Sequence, residues 1–302
     1  MFVSASHRRA AGIAAGFVAD LLFGDPRRGH PVAVFGHGAS ALEQLTYSDT
    51  RHAGILHTGA LLGALCAVGA AIERATRSGV GATAAATFVA LGGTSLARTG
   101  EQMAALLAAG DIGAARDLLP SLCGRDPAVL DEEGLTRAAL ESVAENTSDA
   151  QVAPMMWVAI GGVPAVLVYR GANTLDAMIG NRSPRYARFG WAAARFDDAA
   201  NFLAARATAL LVAACAPVVG GSPAGAVRAW RRDAARHPSP NAGVVEAAFA
   251  GALGVRLGGP SPQVQDLARA VRLSRAVQLA AAVLAVSLSV AGRSGWRAFL
   301  LR

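Results

Sequence analysis

Lysine is absent from this 302-residue chain, in which all 28 basic residues are arginine and 21 residues are acidic. A chain without lysine has no Walker P-loop and no lysine to form a Schiff base or to carry a substrate. Charged residues make up only 16% of the chain, whereas a soluble domain is usually about a quarter charged. Because hydrophobic residues reach 53%, the composition favours a protein embedded in a lipid bilayer.

Cysteine is also scarce, with only Cys66, Cys123 and Cys215. Their wide spacing fits neither a disulfide framework nor a zinc site, so we expect small buried apolar side chains. The net charge of +7 does not indicate a nucleic-acid partner, because no basic run is interleaved with aromatic residues. Arginines beside apolar segments fit the positive-inside pattern of membrane proteins better.

Long apolar runs dominate the rest of the chain. They cover residues 10–23, 53–72, 80–97, 152–169, 203–219 and 276–291. About 20 apolar residues span a bilayer, so we predict a spanning hairpin from the second and third runs and further spans at 203–219 and 276–291. Asp20 interrupts the first run, which we therefore expect to be a retained helix and not a signal peptide.

These runs predict an all-α fold, a polytopic integral membrane helical bundle with extramembrane helices. We expect one membrane-embedded domain over residues 1–302, located in the cell (cytoplasmic) membrane. The stretch 98–150 shows helical spacing of leucines, and Asp131-Glu132-Glu133 predicts a helix start because acids favour the first turn. Further helices are predicted near residues 244–253 and 263–275.

The run at 152–169 differs from the others because Gly161-Gly162-Val163-Pro164 lies at its centre. Polar motifs flank this run on both sides. A simple crossing would place those motifs on opposite faces of the membrane, so we predict a broken or re-entrant segment. Such a segment is permitted where it is buried in protein or lines a cavity.

Acidic side chains precede this run at a helical spacing. Glu141, Glu145 and Asp149 lie at i, i+4 and i+8 and would share one helix face. Their mutual repulsion would be relieved by a metal ion or a cationic partner. A solvated acidic face is the alternative, and Asn146 next to them is either a substrate contact or a helix cap.

Amide and carboxylate pairs follow the run. Arg170, Asn173 and Asp176 would share one helical face, and Asp197, Asp198 and Asn201 repeat the theme. A carboxylate with an amide can hold Mg²⁺, which takes oxygen ligands and keeps waters for a phosphate. Polar groups of this kind are costly near hydrocarbon, so the cluster predicts a metal–phosphate site.

Two further groups of residues are candidates for substrate binding. Arg182, Arg185 and Arg188 have the side chain that clamps phosphate in a bidentate manner, although Arg188 fits an inside-loop charge equally well. Two His-Pro turns stand at the ends of apolar segments. They add Asp25 and His30 near the first helix and His237 and Asn241 in the segment HPSPNAG as substrate contacts or ordinary turn residues.

The same residues resemble a known family, the CobD/CbiB adenosylcobinamide-phosphate synthases of cobalamin biosynthesis. The likeness covers nearly the whole chain. It is carried by DLLFGDP at 20–26 with His30-Pro31, ESVAENT at 141–147 with Asp149 and Ala153-Pro154, Tyr169-Arg170, NTLD at 173–176, Gly180, Arg185-Tyr186, FGW at 189–191, Ala194-Arg195, Asp197-Asp198, Asn201, Arg206, HPSPNAG at 237–243, Glu246-Ala247 and GALGVRLGG at 251–259. One departure is Val244-Val245, where the family pattern has Trp-Pro.

The resemblance implies an amide-forming ligase. It would join adenosylcobyric acid to (R)-1-aminopropan-2-ol or its phosphate with consumption of ATP, giving adenosylcobinamide or its phosphate. The implied partners are the corrinoid, the amine and the lipid bilayer, together with other corrin-pathway enzymes or a second copy of the chain.

Activation of a carboxylate, most simply as an acyl phosphate, needs Mg²⁺, cations that hold phosphate and a base for the amine. As catalytic residues we predict Glu145, Asp149, Asp176, Asp197 and Asp198, and as Mg²⁺ ligands Glu145, Asp176 and Asp198. As residues that bind substrate or phosphate we predict Asp25, His30, Asn146, Arg170, Asn173, Arg182, Arg185, Asn201, His237 and Asn241.

Two other classes share these features. A Mg²⁺-dependent membrane prenyl or phosphoalcohol transferase also combines Asp-rich motifs with a diphosphate, but such enzymes usually repeat the motif in two similar halves, and this chain shows no internal repeat. A non-catalytic transporter or assembly subunit would also use broken helices and charges within the membrane.

Overall fold

The computed structural model describes residues 5–26, 29–76, 79–255 and 262–291. These residues form α-helices joined by turns, short 3₁₀ segments and loops, with no strand among them. In chain order the helices are α1 (Ala5–Phe23), α2 (Pro31–Thr46), α3 (Arg51–Ala75), α4 (Val80–Ala90), α5 (Gly93–Ala108), α6 (Ile112–Leu118), α7 (Glu132–Thr147), α8 (Ala153–Ile179), α9 (Trp191–Cys215), α10 (Pro223–Asp233), α11 (Ala242–Leu253) and α12 (Val264–Ala291). Residues 256–259 of the last family motif lie outside the described residues.

Five helical stretches within the described ranges are long and apolar enough to cross a membrane. They are Arg51–Ala75, Val80–Ala108, Glu132–Ile179, Trp191–Val219 and Val264–Ala291. The all-α fold and the multi-pass membrane architecture are therefore confirmed. The cell membrane as the location stays a prediction.

Contacts between Cα atoms divide the chain into two compact units. Unit 1 comprises Met1–Leu91, Ala153–Ala200 and Ala282–Arg302, and unit 2 comprises Gly92–Val152 and Asn201–Ala281. A single functional domain over residues 1–302 stays a prediction.

In unit 1, α1 packs closely against α4 through small residues. A Cβ built on Gly16 would lie 2.6 Å from the carbonyl oxygen of Ala84, and Gly12 likewise faces the side chain of Thr83. Glycine lets helix backbones approach closely, which is how helices associate where lipid supplies no hydrophobic driving force.

The sequence predicted that residues 53–72 pack against residues 80–97 as a hairpin. The structure gives α3 and α4 other main neighbours. Helix α4 ends at Ala90, and its main contacts are with α1 and α8. Apolar composition identifies a spanning segment but does not specify which neighbour it packs against. Here the small residues of α1 allow its close packing against α4.

Helix α3 packs instead along α8. A Cβ on Gly69 would lie 2.6 Å from the Cα of Pro164, so the two backbones nearly touch. Farther along, Leu62 belongs to a buried apolar cluster with Leu175 and Phe189. This packing holds the C-terminal half of α8 from one side.

Helix α8 is interrupted at Gly162, whose φ of 68° and ψ of −153° are not helical. This backbone conformation is essentially limited to glycine. The nearby Pro164 has no N–H to continue the helical hydrogen bonds. The predicted break is therefore confirmed, whereas a re-entrant path through the membrane stays a prediction.

An apolar cavity of about 480 Å³ lies beside this break. Cys66, Gly161 and Pro164 are among the residues that line it.

Cys66 is exposed, and Cys123 and Cys215 are half-buried. The expectation of buried cysteines is therefore wrong, most clearly for Cys66.

In unit 2, α10 packs against α11, α11 contacts α7, and α5 also packs on α7. The predicted start of α7 is confirmed, since Asp131 Oδ1 accepts a hydrogen bond from the N–H of Gly134 at 2.8 Å. Glu132 and Glu133 occupy the first turn, where the helix dipole favours negative charge. A single π-helical turn, Ser148–Val152, follows α7 directly.

Candidate functional site

Unit 1 contains a group of polar side chains on α8 and the first turns of α9. We call it the unit 1 polar cluster, and its members are Arg170, Asn173, Asp176, Arg195, Asp197 and Asp198.

Amide and guanidinium groups connect the members of this cluster. Asn173 Nδ2 donates to Asp197 Oδ1 at 3.5 Å, and Arg170 Nη1 donates to Asn173 Oδ1 at 3.4 Å. Arg195 Nη2 lies 2.8 Å from Asp198 Oδ2. The structure thus brings together the two polar motifs that the sequence places about one helix apart.

The carboxylates of Asp176 and Asp198 lie near enough to repel each other, and Arg195 attracts Asp176. Like charges at short range are unfavourable where water is scarce. A cation bound between the two carboxylates would relieve this repulsion.

Two carboxylates of the unit 1 polar cluster are suitable as ligands for Mg²⁺. Among the described residues, no group of three or more His, Cys, Asp or Glu side chains is placed to hold a metal ion. Mg²⁺ is commonly bound by one or two carboxylates, with waters and substrate phosphates filling the other positions. Asp176 and Asp198 suit that arrangement. Glu145 belongs to unit 2, and its role as a third ligand stays a prediction.

Arg170 has a buried donor that no described residue satisfies. Its Nε is inaccessible to solvent and lacks a hydrogen-bond partner within the described ranges. A buried donor left unpaired typically costs about 1–3 kcal/mol, so an anionic ligand at this position would be stabilising. The orphaned Nε supports the prediction that Arg170 binds phosphate or a carboxylate.

A cavity of about 280 Å³ adjoins the same cluster. Gly180, Arg182 and Arg195 are among its lining residues. A Cβ added to Gly180 would overlap the Asp176 carboxylate, which shows that the cavity and this carboxylate are neighbours. Two guanidinium groups around a cavity of this size suit a phosphate group.

Arg185 is engaged by protein groups. Its Nη2 donates to Glu43 Oε1 at 2.8 Å, and the guanidinium lies 4.0 Å from the centre of the Tyr47 ring. Tyr186 OH donates to the same Glu43 oxygen at 3.1 Å. Hydrogen bonds with Glu43 and Tyr186 raise the pKa of Arg185. These contacts give Arg185 a structural role, because they link the loop after α8 to α2. Its phosphate-binding role stays a prediction.

The first His-Pro turn caps a helix. His30 is the N-cap of α2, and its Nδ1 accepts from the N–H of Val32 at 3.2 Å. Its Nε2 lies 3.6 Å from Asp25 Oδ1. The structure therefore brings Asp25 and His30 together, and the cap gives His30 a structural role. Their role in substrate binding stays a prediction.

Unit 2 contains a second group of charged side chains, which we call the unit 2 polar cluster. Its members are Arg125, Glu141, Glu145, His237 and Glu246. Arg125 Nη2 lies 2.5 Å from Glu141 Oε2, and His237 Nε2 lies 3.9 Å from Glu246 Oε1. Glu246 is buried, with 8% of its surface exposed. Burial, followed by repulsion from Glu141 and Glu145, raises its pKa to about 8.

The ESVAENT motif contributes buried packing and internal hydrogen bonds. Thr147 is fully buried and donates to Ser274 Oγ at 2.7 Å. Asn146 Nδ2 donates to the carbonyl oxygen of Ser142 at 3.0 Å. Asp149 lies in the π-helical turn, so the α-helical face predicted for Glu141 and Glu145 does not continue unchanged to it. Turns of this kind are frequent at functional sites.

Of the remaining predicted residues in unit 2, Asn201 and Asn241 are buried and His237 is partly exposed. Asn201 and Asn241 are 1% and 6% exposed. Asn241 Oδ1 accepts from Arg206 Nη1 at 2.9 Å. The second His-Pro turn is locally closed, because His237 Nδ1 accepts from the N–H of Ser239 at 3.0 Å.

Reasoning from residue spacing missed Glu246, Arg125, Glu43 and Arg195. Glu246 had an available signal, since it is the only charge in the apolar helix α11. An acid in such a helix indicates a site by default. Glu43 had the same signal, since it is the only acidic or arginine residue in α2. Arg125 and Arg195 lie close to other charged residues in the sequence, so their context offers no comparable signal.

We expect Glu246→Gln to change the pH dependence of stability. In the folded state Glu246 has a pKa of about 8, and in the unfolded state it has the ordinary value near 4.5. The folded state therefore holds the extra proton between these values, and stability falls as pH rises through that range. Each pKa unit corresponds to about 1.4 kcal/mol, so thermal unfolding in detergent should show a stability gain for the variant that grows from pH 5 to pH 9.

Glu132→Gln is the matched control for this experiment. Glu132 is exposed in the first turn of α7, so its variant should follow the wild-type pH profile. An unchanged profile for Glu246→Gln would show that Glu246 ionises normally in the folded protein.

The fold and the two polar clusters define a class of protein. This is a multi-pass helical membrane protein whose helices carry charged and amide side chains in each compact unit. The sequence model of the CobD/Cbib protein family matches residues 13–289. The chain belongs to that family.

Curated relatives agree with this assignment. "Cobalamin biosynthesis protein CobD" of Mycobacterium tuberculosis is 65% identical over 307 aligned positions, which cover 95% of this chain and 98% of the relative. The proteins of the same name from Pelobacter propionicus and Chromobacterium violaceum are 42% and 39% identical. Those alignments cover 82% and 88% of this chain and 80% and 94% of the relatives. No solved structure matches the chain.

Proposed function

We propose that this chain is the membrane ligase that joins adenosylcobyric acid to (R)-1-aminopropan-2-ol or its phosphate in cobalamin biosynthesis. The names of the relatives support the pathway. The observation that carries the proposal is the unit 1 polar cluster, in which paired carboxylates and an amide adjoin a cavity lined by two guanidinium groups.

The reaction in this proposal has two steps. A carboxylate oxygen of the corrinoid attacks the γ-phosphorus of ATP, and ADP leaves as the acyl phosphate forms. The amine nitrogen then attacks the acyl carbon, the bond from that carbon to the phosphate oxygen breaks, and inorganic phosphate leaves. One proton of the amine passes to a basic group.

Each role falls to residues with suitable surroundings. Arg182 and Arg195 line the cavity, where they would hold transferring phosphate, and Arg170 would donate its unpaired Nε to an anion. Asn173 holds Asp197 in place through the 3.5 Å hydrogen bond. Glu145 and Asp149 belong to unit 2, and their catalytic role stays a prediction.

Asp176 and Asp198 would hold Mg²⁺. When bound there, the ion would neutralise charge on the phosphate oxygens and help to align them. Arg195, which lies 2.8 Å from Asp198, fixes the orientation of that carboxylate.

A direct assay tests the proposal. Purified protein is incubated with adenosylcobyric acid, Mg-ATP and either aminopropanol or its phosphate, and the corrin product is analysed by mass spectrometry. The expected product has the mass of the corrinoid plus the amine minus one water, only when ATP is present. Transfer of a radiolabelled prenyl diphosphate to an acceptor, without any corrin amide, would identify a transferase instead.

Arg182→Ala should raise the KM for Mg-ATP by about tenfold or more, because a hydrogen bond to a charged phosphate oxygen is lost. The measurement is steady-state kinetics of the purified variant. Arg188→Ala is the matched control, since Arg188 lies in the same loop and is exposed. Equal KM values for both variants and the wild type would exclude Arg182 from phosphate binding.

A further inference from the structure

The interruption of α8 leaves backbone groups without their helical partners. In a regular helix the carbonyls of Ala159 and Ile160 would accept from the N–H groups four residues on. Pro164 has no N–H, and Gly162 turns the backbone away from helical values. Two carbonyl oxygens and the N–H of Val163 therefore need other partners.

Side chains from α1 and α3 supply these partners. Arg9 Nη1 lies 3.3 Å from the carbonyl oxygens of both Ala159 and Ile160. Glu73 Oε1 accepts from the N–H of Val163 at 3.1 Å. Arg9 Nη2 and Glu73 Oε1 are 3.7 Å apart, so the two caps are also joined to each other.

The charges match the two helix ends. The first half of α8 ends in carbonyl groups, which carry the negative end of the helix dipole and face a guanidinium. The second half begins with an N–H at the positive end of its dipole and faces a carboxylate. Neither contact follows from the local sequence, because Arg9 and Ala159 are 150 residues apart.

We propose that Arg9 and Glu73 form a two-sided cap that fixes the break in α8 and thereby positions Asp176. The cap holds the start of the second half of α8, and Asp176 lies near the end of that half. Arg9 and Glu73 are thus positioning residues, and the effect on catalysis rests on the proposed function. A displacement of about 1 Å at a reacting group can lower a rate by roughly 100-fold.

Exchange of the two charges distinguishes this cap from an ordinary ion pair. In the double variant Arg9→Glu/Glu73→Arg the opposite charges remain, so a simple ion pair would be restored. A cap would not be restored, because a carboxylate would face carbonyl oxygens and a guanidinium would face an N–H. We therefore expect the double variant to stay impaired.

Two substitutions of Glu73 complete the kinetic test. Glu73→Leu removes the acceptor for Val163 and should lower kcat roughly 10- to 100-fold, with a KM for Mg-ATP close to wild type. Glu73→Gln keeps an oxygen acceptor and should recover most of that loss. Arg74→Gln is the control, because Arg74 is the exposed neighbour of Glu73 on α3. A wild-type kcat for Glu73→Leu, or full recovery by the charge exchange, would overturn the proposal.

Cys66 provides a readout that needs no activity. It lines the cavity beside Gly161 and Pro164, so in detergent-purified protein its alkylation rate reports on the shape of this cavity at the break. With Cys123 and Cys215 replaced by alanine, Glu73→Leu should change the rate of N-ethylmaleimide labelling several-fold, and Glu73→Gln should not. Equal rates in all variants would refute the cap. If the wild type forms no amide, the proposed function fails, and these rates still decide whether the cap exists.

Discussion

Asp176→Asn should lower the rate of corrin amide synthesis by at least about 100-fold, and Asp198→Asn should do the same. Removal of one electrostatic contact at a reacting phosphate commonly costs about 3 kcal/mol of transition-state stabilisation. The loss follows from the position of Asp176 and Asp198 beside the cavity lined by Arg182 and Arg195. The rate is measured on purified protein by mass spectrometry of the corrin product.

Stability of Asp176→Asn should move in the opposite direction to activity. Asp198 repels Asp176, so an amide at position 176 removes an unfavourable interaction, and this variant should unfold at the wild-type temperature or above. Asp198→Asn removes the same repulsion but also weakens the 2.8 Å ion pair with the exposed Arg195, so it should unfold near the wild-type temperature. Because the two carboxylates would act on one ion, the double variant should be little worse than either single one.

Asp117→Asn is the matched control for these variants. Asp117 is an exposed carboxylate on α6, far in sequence from either polar motif, and its variant should keep wild-type activity. Full activity in Asp176→Asn and Asp198→Asn would remove both carboxylates from the site.

Gly162→Ala should destabilise the fold and strongly reduce activity. An alanine at φ 68° and ψ −153° carries backbone strain of roughly 1–3 kcal/mol. Its Cβ would also overlap the Glu73 carboxylate and approach Arg9 Nη2 to 2.9 Å. Thermal unfolding in detergent should show a clear decrease in stability, and the amide assay should show a loss larger than the loss of folded protein.

Gly59→Ala provides the comparison. Gly59 lies in α3, and a Cβ there would meet no atom within 4 Å. Alanine favours helix over glycine by about 1 kcal/mol, so this variant should be neutral or more stable. An equally mild effect of Gly162→Ala would mean that α8 is not interrupted at this position.

Local chemistry explains which parts of the fold were predictable. The Gly161-Gly162-Val163-Pro164 sequence predicts the break in α8 because proline and glycine act on their own backbone. The start of α7 is equally local, since Asp131 caps the N–H of Gly134. Apolar runs of sufficient length likewise identify the spanning segments.

Long-range pairing explains what the sequence did not reveal. Glu43 and Arg185 are 142 residues apart and meet only because α2 and α8 pack together. The packing of α4 on α1 depends on small residues that are common throughout this chain. Exposure of Cys66 depends in the same way on neighbours that composition does not specify.

The candidate site shows both cases. The pairing of Asn173 with Asp197 agrees with a site assembled from two polar motifs, which the cost of such groups near hydrocarbon made predictable. Glu246 was not predicted because it is a single acid in an apolar helix and belongs to no spaced motif. Its surroundings, Glu141 and Glu145, become visible only when α7 and α11 are packed.

Oxygen-18 in the reacting carboxylate of adenosylcobyric acid tests phosphoryl activation at this site most directly. The acyl phosphate mechanism transfers one carboxylate oxygen to phosphorus, so each corrin amide formed should release one inorganic phosphate that carries a single labelled oxygen. Mass spectrometry of the released phosphate and of the corrin product measures both quantities together. Corrin amide formed with unlabelled phosphate would contradict the proposed chemistry of the unit 1 polar cluster.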